Sequence, residues 1–145
     1  MYRIPKYKVT LVKEGYISSS EKKINNHYVA INVIREHIGN ADRENFIVVL
    51  VNTKNVICGI NTVSIGTLNS SLVHPREVFK PAVTSNAAAV ILAHNHPSGS
   101  IKPSESDKKL TGKIKQAATF LDIALIDHLI ITDNAYLSFN DEGLL

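Results

Sequence analysis

Cysteine is nearly absent and tryptophan wholly so: Cys58 is the one thiol in 145 residues, and aromatic residues make up only 6%. A single cysteine excludes a disulfide framework and every zinc knuckle built from paired thiolates, and it suits a reducing compartment. A metal centre here must use nitrogen and oxygen ligands. Cys58 itself reads as a small buried apolar group. Long hydrophobic runs are missing too. No stretch approaches membrane-spanning length, and the opening Met1-Tyr2-Arg3-Ile4-Pro5-Lys6 lacks the apolar centre of a signal peptide, so a soluble, cytoplasmic protein is expected. Neither sign of charge dominates: 16 Lys and Arg stand against 13 Asp and Glu, for a net charge of +3 and a pI near 9.0. The excess lies partly in Lys6, Lys8, Lys13, Lys22 and Lys23, and partly in Lys102, Lys108, Lys109, Lys113 and Lys115. These read as solvated faces, and weak nucleic-acid contact is the partner they would permit.

What is present is a hydrophobic content of 44%, enough for one domain with a substantial core. Residues 1–20 read as an extended N-terminal arm, with a short strand at most from Tyr7 to Val12, and residues 21–145 as the domain. Ile24, Tyr28, Ile31, Ile34 or Arg35, and Ile38 recur at helical spacing up to the stop Gly39-Asn40. Phe46 to Val51 is continuously apolar, as in a strand buried on both faces, and Asn52 to Asn55 turns it into a second strand from Val56 to Ile65. Gly66 to His74 is a polar loop. Pro75 opens a second helix to about Val83, which Pro81 should bend or shorten. A strand from Ala87 to His96 follows, then a helix capped by Ser104 with Leu110, Ile114, Ala117, Ala118 and Leu121 on its buried face. Ile123 to Thr132 and Ala135 to Phe139 form a closing hairpin across Asp133-Asn134. Strands and helices alternate only in part, so the expected class is α/β (α+β) with a mixed sheet flanked by helices.

The chemistry concentrates where the Ala87–His96 strand ends. Side chains alternate along a strand, so His94 and His96 share a face and can place two imidazole nitrogens on one cation while Asn95 looks the other way. Pro97 stops the strand and Ser98-Gly99-Ser100 reverses the chain, which brings Asp107 to the same point from the next helix. Two histidines and a carboxylate leave the fourth tetrahedral position open, the mark of catalytic rather than structural zinc. Ser104 and Asp107 also have the spacing of a capping box, which stabilises a helix start without any metal. Asp127-His128, inside a predicted buried strand, either orients the site from behind or packs with a satisfied ring. His27, His37 and His74 have no partner at ligand spacing and read as surface or core residues.

His-x-His, seven residues, then Ser-x-x-Asp matches the JAMM motif of MPN-plus metallopeptidases. The fuller text resembles one branch, the RadC family: His94-Asn95-His96-Pro97-Ser98-Gly99, Pro103-Ser104 to Asp107, Leu125-Ile126-Asp127-His128-Leu129-Ile130-Ile131, and Gly66-Thr67-Leu68-Asn69 to Pro75-Arg76-Glu77-Val78-Phe79. The resemblance runs from about Ile24 to the C-terminus. Ser100-Ile101-Lys102 departs from the family's usual Asp-Pro-Thr-like text, and no helix-hairpin-helix-like region precedes Ile24, so the chain is similar to the short RadC-like proteins of prophages and other mobile elements. The resemblance implies an MPN fold, of the sheet-and-helix plan shared with cytidine deaminases, and Zn²⁺ on His94, His96 and Asp107. It also implies Glu44 as general base, with Glu77 as its rival at the start of a helix.

On that reading zinc brings the pKa of water towards neutrality, Glu44 takes the proton, and Ser104 helps stabilise the oxyanion as a peptide or isopeptide amide is hydrolysed. A nucleobase deaminase is set aside because Pro-Cys-x-x-Cys is missing. The letters His-Asn-His do not make an HNH nuclease, whose named residues are spread over a hairpin and a helix. The remaining alternative is a metal-containing module associated with DNA, without turnover.

Overall fold

The computed structural model describes residues 1–66 and 73–145. Its elements are α1 (His27–Ile38), β1 (Asn45–Val51), β2 (Ile57–Ile65), α2 (Pro75–Thr84), β3 (Ala89–Asn95), α3 (Glu105–Leu121), β4 (Ala124–Ile131) and β5 (Tyr136–Ser138). The five strands form one sheet in the order β2-β1-β3-β4-β5. The pairs β1–β2, β1–β3 and β4–β5 are antiparallel, and β3–β4 is parallel, with α3 as the connection. The sheet is therefore mixed, as the uneven alternation of elements predicts.

Alternation along the strands divides the interior in two. Phe46, Val48, Leu50, Val90 and Leu92 face α2 and α3, meeting Val78, Phe79, Leu110, Ile114 and Ala118. Ile47, Val49, Val51, Ile91 and Ala93 face α1, meeting Ala30, Ile31 and Ile34. Helices on both sides explain why every residue of β1 and β3 is buried and why those segments read as unbroken apolar runs. Gly39 ends α1 at φ 58, a conformation that costs glycine least.

Several expectations change at the margins. Tyr28 is exposed, since the stripe of α1 that meets the sheet is Val29, Ala30, Ile31, Val33 and Ile34. Leu121 is exposed because α3 ends beyond the edge of its core face, and Ala117 is only partly buried. Cys58 is exposed rather than buried: it lies on β2, the edge strand of the sheet among the described residues. Pro81 does not shorten α2, which runs to Thr84; its ring is buried, and its missing N–H costs a single helical bond. The predicted loop from Gly66 to His74 falls largely outside the described residues. Residues 1–18 form no regular element, and Tyr2, Ile4, Tyr7, Val9 and Val12 are exposed. The domain begins with a bridge between Lys23 and Val56. Among the described residues, no helix is long and apolar enough to cross a membrane.

Candidate metal centre

Three elements meet at the C-terminal end of β3. His94 follows Leu92 in the strand alternation and so faces α2 and α3; its side chain is fully buried, stacked at 6.1 Å on the Phe46 ring. His96 lies just past the strand end, where its N–H donates to Ile131 O of β4 at 3.0 Å. Asp107 comes from the first turn of α3, held there by the capping box. Ser104 N donates to Asp107 Oδ2 at 2.9 Å, and Asp107 N donates to Ser104 Oγ at 3.0 Å. The cap predicted for its own sake is thus also what aims the carboxylate.

His94 Nε2 and His96 Nε2 are 2.9 Å apart, and Asp107 Oδ2 lies 3.5 Å from the first and 3.7 Å from the second. Ligands about 2.0–2.1 Å from a tetrahedral ion are about 3.3 Å from one another. The cluster brackets that spacing, and these three residues could hold a metal ion.

The surrounding hydrogen bonds decide where the imidazole protons sit. Thr111 Oγ1 donates to Asp107 O at 2.7 Å, so its contact of 2.6 Å with His128 must be accepted from an Nδ1–H. Burial pushes the His128 ring well below the ordinary histidine pKa and keeps it neutral, which leaves a lone pair on Nε2. That lone pair, 2.8 Å from His94 Nδ1, accepts from it, so a neutral His94 ring presents its bare nitrogen at Nε2. His96 Nδ1 donates to Ser100 O at 2.6 Å, so a neutral His96 ring presents Nε2 in the same way. Two lone pairs at that separation repel unless positive charge lies between them. A shared proton would satisfy the rings alone, whereas a cation also uses the carboxylate that completes the group. Burial raises the pKa of Asp107, but a protonated His94 ring and the Ser104 cap lower it further, to well below the ordinary carboxylate range; a cation taking the place of that proton meets a carboxylate that is already anionic.

The other predicted residues are placed as follows. Ser104 is exposed at the mouth of the cluster; its Oγ accepts from Asp107 N, which leaves the hydroxyl proton to donate. Glu44 immediately precedes β1, and its carbonyl accepts from Gly66 N at 2.9 Å. Phe46 pairs with His94, and that antiparallel register carried two residues further would set Glu44 opposite His96. Glu77 lies on the surface of α2, ion-paired with Lys80 at 3.1 Å. His27 sits between Asp127 and Asp141, His37 reaches Thr62 Oγ1 at 2.7 Å, and His74 precedes α2 as its N-cap residue. Asp127 and His128 divide their work by face. Asp127 accepts from Ser138 Oγ, Asn140 N and its neighbour's N–H, tying down the C-terminal turn, while His128 backs the cluster. Sequence reasoning missed Thr111. The available signal was a polar residue on the buried stripe of α3, four residues after Asp107 and so one turn above it.

Comparison with known proteins agrees with this arrangement. A family model described as RadC-like JAB domain matches residues 24–144. A UPF0758 protein of Rubrobacter xylanophilus is 50% identical over 113 residues, covering 78% of this chain and 49% of that protein. A UPF0758 protein of Clostridium acetobutylicum is 42% identical over 132 residues, covering 91% of this chain and 58% of the relative. Another, from Moorella thermoacetica, is 53% identical over 104 residues, covering 72% and 45%. The chain therefore spans about half the length of the curated relatives it matches. The extent of the match and the histidine–aspartate cluster within it identify the chain as a member of the RadC family, built on a JAB domain.

Proposed function

We propose that the chain is a zinc-dependent hydrolase of the JAMM type, acting on a peptide or isopeptide amide. The observation that carries the reading is the convergence of two imidazole Nε2 atoms and a carboxylate oxygen on one point, with the Nδ1 of each ring engaged by a neighbour. Nitrogen and oxygen donors in this number suit zinc and leave a coordination position open. When bound, such an ion supplies Lewis acidity that activates water and polarises a carbonyl.

The chain's own groups do the rest. His94, His96 and Asp107 hold the ion. Glu44, at the mouth of β1, accepts the proton of the attacking water and returns it to the leaving amine. The Ser104 hydroxyl donates to the oxygen on which charge develops.

Elemental analysis of protein purified without added metal tests the first step, with one zinc per chain expected and its loss in His94→Ala. Glu44→Gln should keep the zinc and lose turnover on a library of peptide and isopeptide amides. Zinc retained in His94→Ala would refute the ligand set.

A second reading draws on the arm, where Arg3, Lys6, Lys8 and Lys13 alternate with exposed Tyr2, Ile4, Tyr7 and Val9, with no acidic residue before Glu14. Cationic and aromatic side chains in one extended segment suit single-stranded nucleic acid. Salt-dependent binding of a DNA oligonucleotide that survives Glu44→Gln would favour a DNA-associated module without turnover. Binding insensitive to salt would exclude it.

A further inference from the structure

We propose that Asn95, the residue between the two histidines, is a positioning residue that sets Glu44 relative to them. This rests on the reading of Glu44 given above. On the β2 side of β1, Asn45 pairs with Ile65 and Gly66 N donates to Glu44 O, whereas on the β3 side the ladder begins only at Phe46 and His94. Towards β3, where the ladder has not begun, the Asn95 side chain bonds the backbone on either side of Glu44. Its Oδ1 accepts from Asn45 N at 2.6 Å, and its Nδ2 donates to Arg43 O at 2.9 Å. The orientation of the amide is unambiguous, because a backbone N–H can only meet the oxygen and a carbonyl only the nitrogen.

Asn95 is buried on the face opposite the cluster, and asparagine is poorly suited to a strand. There it could have turned towards α1. Instead both functions of the amide go to the backbone flanking a single residue, Glu44. Two further bonds complete the clamp: Asn45 Nδ2 donates to Arg43 O at 2.9 Å, and Gly66 N donates to Glu44 O at 2.9 Å. A shorter side chain at position 95 cannot span from Arg43 to Asn45, and without that span the start of β1 is tied only by the contacts beside it. The strand that delivers the imidazoles from one face thus uses the intervening residue, on its other face, to fix where the proton acceptor begins.

Cobalt substitution provides the test, because Co²⁺ reports its surroundings in the visible spectrum without a known substrate. Spectra of the Co²⁺ form are to be recorded for the wild type, Glu44→Gln, Asn95→Thr, Asn95→Ala and the double variant Glu44→Gln/Asn95→Thr, with thermal melts alongside. Asn95→Thr keeps a strand-compatible residue, so the test survives if Asn95→Ala fails to fold. Glu44→Gln is expected to shift the bands, Asn95→Thr to reproduce that shift with full Co²⁺ occupancy, and the double variant to add nothing further. A lower melting temperature with unshifted bands in Asn95→Thr, or shifts that add in the double variant, would reduce Asn95 to a structural role and overturn the proposal. Unshifted bands in Glu44→Gln would remove Glu44 from the centre and overturn both readings together.

Discussion

Thr111 has no reactive chemistry in this site, yet it decides which nitrogen of His94 is bare. By donating to Asp107 O it fixes the His128 tautomer, and through that ring the proton on His94. Thr111→Val keeps the shape and removes the hydroxyl; zinc affinity is expected to fall roughly 10–100-fold, as is usual for a partner standing behind a ligand. Competition with a chromophoric chelator measures it, and unchanged affinity would disprove the relay. His37 makes a separate prediction. Burial lowers its pKa below the ordinary value of 6.5, with Glu14 opposing the shift. A lowered folded-state pKa means the unfolded chain takes up the proton first on acidification. The related stability is complete above the ordinary value and is lost as pH falls through the folded one. Urea unfolding at about pH 7.5 and about pH 5.5 should show the wild type losing more stability than His37→Gln between the two conditions.

At the scale of elements, Ser104 separates two roles. Losing its cap should cost about 1 kcal/mol of stability, whereas losing an oxyanion donor should cost about 10²–10³ in turnover. Ser104→Ala that folds with a small loss and is slow supports the proposed role; one that is merely less stable supports the cap alone. Elements announced by a strong local signal were legible in the sequence. The run Phe46 to Val51, the Ser104 cap and the pair His94 and His96 followed by Pro97 each state their conformation within a few residues. What depended on a distant neighbour was not legible. Cys58 is exposed because β2 is an edge strand, which nothing near Cys58 announces. The roles of Thr111 and Asn95 require α3 packed against β4 and β1 paired with β3, contacts that strand and helix periods do not reveal.

For the whole molecule, the cluster joins a strand end to a helix start across the β3–β4 connection, so an ion held there binds the folded chain far better than the unfolded one. Zinc at a hundredfold excess over its Kd should add about 2.7 kcal/mol. Stripping it with a chelator should lower Tm by roughly 5–10 °C, and restoring Zn²⁺ should reverse the change. Differential scanning calorimetry reads both, and a Tm indifferent to the chelator would argue against a site in this fold. The order of residues along the chain adds a constraint during synthesis. His94, His96, Asp107 and Thr111 all precede β4, while His128 follows Thr111 by 17 positions and reaches the cluster only when β4 lies parallel beside β3. A nascent polypeptide that has left the ribosome only as far as α3 carries every ligand but not the ring that assigns the His94 proton, and its imidazole can then present either nitrogen. The tautomer of His94 is therefore fixed only once β4, translated after the three candidate ligands, has paired with β3.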